Sequence, residues 1–246
     1  MAQIIAISNH KGGVGKTTST VNIGAGVALR GKKVLVIDLD PQANLTQCLG
    51  LTEPEHTVYG ALRGEYDLPI YEIKENLYLI PSTLDLASIE MELSAKIARE
   101  VILKKMIDKI SSSFDYIFID CPPSLGLITV NAFVAADEIF IPLQAQFLAL
   151  HGLDKLTDII ALVQESLNTN LKIGGVFITQ FDSRKILNRD IAESVSTYFN
   201  GNIFKTFIRD NVSLAEAPIH GQDIFSYDPK SNGAKDYESL IVEFLK

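Results

Sequence analysis

Two short runs in this chain carry side chains whose types and spacing could act together on a phosphate. Lys11-Gly12-Gly13-Val14-Gly15-Lys16-Thr17-Thr18 lies between an apolar run, residues 4–7, and a helix-compatible stretch, residues 18–30. A strand, a glycine-rich turn and a helix start form the context of a phosphate-binding loop. Glycines let successive backbone N–H groups converge on phosphate oxygens, and the helix N-terminus adds partial positive charge. Lys16 would reach the β- and γ-phosphates of a nucleotide, and the Thr17 hydroxyl would ligate Mg²⁺. The second run, Val34-Leu35-Val36-Ile37-Asp38-Leu39-Asp40-Pro41, ends in two carboxylates. A period of two puts Asp38 and Asp40 on one side, just where the strand runs out. Carboxylates at the mouth of a phosphate site can serve a hydrated Mg²⁺ and orient an attacking water, which is most of what phosphoryl transfer asks of a protein. The plainer alternatives are a glycine-rich surface turn and a charged strand end turning at Pro41.

The elements that must position these groups are legible as alternating patterns. Short apolar, β-branched runs recur at 4–7, 34–37, 77–80, 116–119, 138–142, 176–179 and 203–208. Segments of helical period lie between most of them: 18–30, 84–98, 101–110, 125–135, 153–167, 188–199 and 234–245. Such alternation predicts an α/β fold with a single doubly wound, mostly parallel sheet flanked by helices. Runs that are apolar throughout, such as Ile117-Phe118-Ile119, suit strands buried on both faces. Ligands of these sheets bind beyond the carboxyl ends of the strands, where both runs fall.

Composition bounds the rest. With 246 residues, 47% hydrophobic and 21% charged, the chain is expected to form one α/β domain over 1–246. No apolar run approaches the ~18 residues of a membrane span. No basic segment followed by a long apolar region opens the chain, and Ala2 is not a myristoylation acceptor, so a cytoplasmic protein is expected. Cys48 and Cys121 form no CxxC pair and read as reduced thiols. Four histidines without H-x-x-x-H spacing make a transition-metal site improbable. The net charge of −8 opposes a general nucleic-acid coat and an anionic membrane, but leaves room for a local basic patch and for a partner with a basic peptide.

The glycine-rich loop departs from G-x-x-x-x-G-K-[ST], because His10 stands at the first glycine position. It matches K-G-G-x-G-K-T instead, and so resembles the deviant Walker A motif of the ParA/MinD group of P-loop ATPases. Asp38-Leu39-Asp40-Pro41-Gln42-Ala43-Asn44 resembles the first switch of ParA-type ATPases, and the apolar run ending in Asp120 resembles a Walker B element followed by a second switch, Pro122-Pro123-Ser124. The resemblance runs nearly the whole length, from Ile4 to about Leu245, with the motifs in matching order. It implies ATP and Mg²⁺ as cofactors, with Lys11, Gly12, Gly13, Val14, Gly15, Lys16, Thr17 and Thr18 around the phosphates. It further implies a metal site of Thr17, Asp38 and Asp120, and Asp40 as the residue that positions water. Lys11 would reach across a dimer interface to the partner's phosphates. The adenine pocket would lie at 179–184 and 208–214, with Gln180, Ile208 and Asp210 as candidates; Ile208-Arg209-Asp210-Asn211 departs from the family's Pro-Arg-Asn.

The function so implied is ATP-dependent DNA partition by a homodimer that binds DNA non-specifically, gathers on the nucleoid, and is switched off when a centromere-binding or cargo-adaptor protein stimulates hydrolysis. With the loop beginning within ten residues of the start, no N-terminal helix-turn-helix domain is expected. Residues 180–246 hold eight Lys and Arg against ten Asp and Glu, a milder balance than the rest. Arg184, Lys185, Arg189, Lys205 and Arg209 are candidate DNA contacts, with ordinary solvated charges as the alternative. A MinD-like positioning ATPase would end in a basic amphipathic helix, whereas this chain ends in an acidic one. An iron–sulfur carrier would need cysteines placed otherwise. A small-molecule ATP-dependent synthetase on the same scaffold is the alternative of a different class.

Overall fold

The computed structural model describes residues 1–146, 152–199 and 201–246. Seven strands, β1 (Gln3–Ile7), β2 (Val34–Asp38), β3 (Tyr71–Lys74), β4 (Leu77–Ile80), β5 (Tyr116–Asp120), β6 (Glu138–Gln144) and β7 (Lys172–Thr179), form one sheet in the order β3-β4-β2-β5-β1-β6-β7. All pairs are parallel except β3 with β4. Along the chain the helices are α1 (Lys16–Ala28), α2 (Asn44–Cys48), α3 (Val58–Arg63), α4 (Ile89–Glu92), α5 (Ile102–Asp108) and α6 (Leu127–Ala135). They continue with α7 (Leu153–Ser166), α8 (Ile186–Tyr198), α9 (Val212–Glu216), α10 (Ile224–Tyr227) and α11 (Asn232–Phe244).

The strand period of two divides the core. Ile4, Ala6, Leu35 and Ile37 pack toward α3 and α5–α8, while Ile5, Ile7, Val34, Val36 and Phe118 pack toward α1, α10 and α11. Central strands covered on both faces must be apolar at every position, as β2 is until Asp38. The same parity points Asp38 and Asp120, the last residues of β2 and β5, toward the face that α1 covers.

Two expected elements differ. Residues 84–98 are not one helix: a 3-10 turn (Leu84–Ser88) leads into the four-residue α4, and the chain then turns. Only Leu86, Ile89 and Leu93 reach the core, while Leu84, Met91 and Ile97 are exposed, so no continuous apolar stripe sustains a longer helix. Residues 203–208 form no regular strand. They run beside β7 with isolated bridges, Val176 to Ile203 and Phe181 to Arg209, and backbone bonds from Phe204 to Val176 and Ile208 to Ile178. Phe204 fills the space above Gly175, and Phe207 stacks on Phe181 at 4.4 Å, so the apolar alternation serves packing rather than a ladder. The antiparallel edge strand β3, Tyr-Glu-Ile-Lys, has no buried residue and no apolar run to announce it.

Candidate active site

The glycine-rich loop leaves β1 and enters α1 through Gly13 (φ 75°) and Gly15 (φ 87°), both in the left-handed region that favours glycine. Neighbouring strand ends brace it. Asn9 Nδ2 donates to Pro142 O at 2.8 Å, and Thr179 Oγ1 donates to Val14 O at 2.8 Å. Gly152 meets the loop from the start of α7. Its φ is +100°, and a Cβ there would lie 2.2 Å from Cε1 and Nε2 of the His10 ring.

The two cations of the loop take different partners. Lys16, 7% exposed, donates from Nζ to Lys11 O at 3.1 Å, and burial lowers its pKa against the opposing pull of Asp120. Lys11 Nζ points elsewhere, to Gln146 Oε1 at 3.0 Å. Thr17 Oγ1 donates to Asp120 Oδ2 at 2.7 Å, while Thr20 Oγ1 approaches Oδ1 at 3.2 Å. Thr20 follows from helical geometry: it lies one turn below Lys16, whose carbonyl it also bonds.

The carboxylates separate by role. Asp38 Oδ2 accepts from the backbone N–H (2.9 Å) and hydroxyl (2.7 Å) of Thr46, and Oδ1 accepts from the Asp40 N–H at 3.1 Å. It fixes the loop that carries Asp40. Asp40 itself lines the phosphate cavity and accepts from Gln42 N–H at 3.0 Å. Burial, opposed by the Thr46 bonds, pushes Asp38 up to about 6, and burial together with Asp38 pushes Asp120 up to about 8. Two buried carboxylates side by side leave a deficit of positive charge that a cation would fill. Among the described residues no three His, Cys, Asp or Glu side chains converge as a protein cage. The oxygens of Thr17 and Asp120, 2.7 Å apart, are donors of the kind Mg²⁺ takes, its other positions being filled by phosphate and water.

A cavity of about 450 Å³ is lined by the loop from Gly12 to Thr18, with Asp40, Gln42 and Asn44 opposite. A second, of about 160 Å³, adjoins it through Gly15, Thr18 and Gln180, and is closed by Ile208, Asp210 and Tyr237. Gln180, at φ 50°, donates from Nε2 to Gly13 O at 2.9 Å and so stands where the two meet. Asn211 also lines the smaller cavity, and its buried Oδ1 has no partner among the described residues. The one local signal for Asn211 in the sequence is its place one residue before α9.

The candidate DNA contacts do not form one free patch. Arg184 is committed to Asp182 through two bonds of 2.9 Å, and Arg209 to Asp236 of α11 through bonds of 2.6–3.1 Å. Arg209, a candidate DNA contact from sequence, thus ties residues 208–211 to α11 while its side chain stays half-exposed. Lys185, the N-cap of α8, and Arg189, one turn on, share a helix face. Lys205 donates its backbone N–H to Glu243 of α11.

Residues 2–173 match the family model described as an AAA domain. The chain is 48% identical over 249 residues to the sporulation initiation inhibitor protein Soj of Bacillus subtilis, covering 99% of this chain and 98% of that protein. It is 44% identical to the chromosome-partitioning ATPase Soj of Treponema pallidum, covering 100% and 98%. The chain belongs to the Soj/ParA family. It is accordingly a P-loop ATPase, with the fold of that family. Among solved structures, a plasmid partition protein of Borrelia burgdorferi bound to AMPPNP shares 28% identity at a TM-score of 0.83, over 99% of this chain and 98% of that one. Cobyrinic acid a,c-diamide synthase of Mycobacterium smegmatis, with bound ADP and magnesium, shares 33% at 0.88, over 100% and 94%.

Proposed function

We propose that this Soj/ParA member is a partition ATPase that dimerises on ATP, binds DNA without sequence preference and is switched off by a cargo adaptor. The observation that carries the reading is full-length similarity to two Soj proteins combined with a loop whose first lysine turns away from its own phosphate cavity. The fold alone does not separate this reading from a synthetase, because a synthase shares it.

The site fits Mg²⁺-ATP. Lys16 and the loop N–H groups would hold the phosphates, Thr17 and Asp120 the metal, and the smaller cavity the base. Mg²⁺ supplies neutralisation of charge on the transferred phosphoryl group. Asp40, held in place by Asp38, orients the attacking water. Asp38 thus positions Asp40 in addition to completing the acidic pair beside the metal. Lys11 leaves Gln146 to reach the phosphates of a second subunit, acting in trans. Before that step no cationic finger completes the site, so basal turnover falls far below the ~10 s⁻¹ median of enzymes.

DNA binding falls to Lys185, Arg189 and Lys205, each a weak phosphate contact, doubled and aligned by dimerisation. A basic peptide of the adaptor suits the acidic balance of the chain. No described helix is long and apolar enough to cross a membrane. On this reading the protein works in the cytoplasm and gathers on the nucleoid when ATP is bound. Steady-state hydrolysis tests the reading: turnover rises when duplex DNA and a basic adaptor peptide are added together. Turnover driven by a small metabolite without either would assign the chain to the synthetases.

A further inference from the structure

A cavity of about 740 Å³, larger than either nucleotide cavity, shares no lining residue with them and lies between α3 and α5. Leu62, Ile102 and Met106 form an apolar floor. Ile97 stands on its edge at 97% exposure, an unusual position for so apolar a side chain. Lys96, Lys105 and Lys109 rim it. Lys109 is paired with Asp67 at 3.0 Å and Lys96 donates to Arg63 O, whereas Lys105 has no carboxylate partner among the described residues. Residues 96–109 hold five Lys and Arg against Glu100 and Asp108, or +3 in a chain of −8.

Asp67 also lines the groove but is taken up by Lys109. The rim charge without a carboxylate partner among the described residues, Lys96 and Lys105, is therefore positive, and an apolar trough so edged selects a ligand with acidic flanks. We propose that the groove between α3 and α5 docks an acidic amphipathic helix of another protein. Helix-in-groove recognition supplies apolar anchors at i, i+3, i+4 and i+7, and the flanking Asp or Glu meet the lysines. The basic peptide expected to stimulate hydrolysis would be repelled here, so this is a second partner at a second place. Duplex DNA fits poorly, because a phosphate backbone would leave Ile97, Ile102 and Met106 against water and charge.

The test uses the full chain and a dye-labelled synthetic peptide of about 18 residues, with leucines at i, i+3, i+4 and i+7 and glutamates between. Anisotropy titrations compare it with a scrambled peptide of the same composition, a lysine-for-glutamate peptide and an unlabelled duplex competitor. Saturable binding is expected, weakened about tenfold by scrambling, about tenfold by Lys96→Glu with Lys105→Glu, and about fivefold by Ile97→Ser. The charge-reversed variant should gain affinity for the lysine peptide. Binding of an ATP analogue, unchanged in each variant, shows that the fold survives. Absence of saturable binding, equal binding of patterned and scrambled peptides, or full displacement by DNA would overturn the proposal. So would nucleotide-free self-association that Ile97→Ser abolishes, since the occupant would then be a second copy.

Discussion

Asp38 and Asp120 are register partners at the ends of adjacent parallel strands, both fully buried and both facing α1. Neither has a salt bridge among the described residues, and Asp120 relies on two threonine hydroxyls. The sheet thus presents a paired acidic end where the phosphates would sit, and the cost of ionising it falls on the nucleotide-free protein.

That cost has a sign. Both folded pKa values lie above the ordinary ~3.9 of an unfolded Asp, at about 6 and about 8. The stabilisation from keeping these groups protonated is full below pH ~4 and is lost as pH rises through the folded values. Nucleotide-free thermal melts should therefore fall between pH 5 and 8, by about 3 °C or more. Asp120→Asn should flatten that slope, and a wild-type melting temperature independent of pH across the window would contradict it.

Three substitutions should separate binding, assembly and turnover. Lys16→Ala is expected to lose nucleotide affinity by about 10²-fold, since it deletes charge-assisted bonds. Asp40→Ala should bind and dimerise normally but turn over about 10²-fold more slowly or worse. Lys11→Ala should bind ATP yet remain monomeric in sedimentation. If that last variant dimerises like wild type, Lys11 plays no part across the interface.

Asn211 Oδ1, without a hydrogen-bond partner among the described residues, predicts base discrimination. It can accept from the 6-amino group of adenine, which guanine lacks. Asn211→Leu should weaken ATP binding about tenfold, the worth of one buried hydrogen bond, and leave GTP binding unchanged. Calorimetry with both nucleotides reads the difference directly.

Arg209 and the α8 cations should behave differently. Arg209→Ala breaks a bidentate pair with the largely buried Asp236, so it should lower melting temperature and loosen the base loop while the salt slope of DNA binding stays put. Lys185→Ala with Arg189→Ala should instead flatten that slope by about 2 per protomer, without changing the melt. DNA binding indifferent to the α8 pair would move the DNA surface elsewhere.

Much of this site was legible because its parts are local. The loop, the Asp38–Asp40 run and the Asp120 strand end each declare themselves within ten residues, and parity places both aspartates on one face. What escaped was decided by distant contacts. Nothing near Arg209 marks Asp236 as its partner, 27 residues on. The alternation at 203–208 is real, yet its aromatic side chains serve packing above Gly175 and against Phe181. Edge strand β3 lacks an apolar signal because it buries none of its residues.

The contact between His10 and Gly152 bears on how such chains can be recombined. The loop lacks the first glycine of the general pattern, and the room for an imidazole there is provided by a residue 142 positions later that has no side chain. The two form a single size constraint shared by separate stretches of the gene. A chimera joined anywhere between them would inherit the bulk from one parent and the allowance from the other. Where the second parent carries a side chain at 152, either the ring must move or the left-handed backbone at 152 must change, although every residue of the loop itself remains in place.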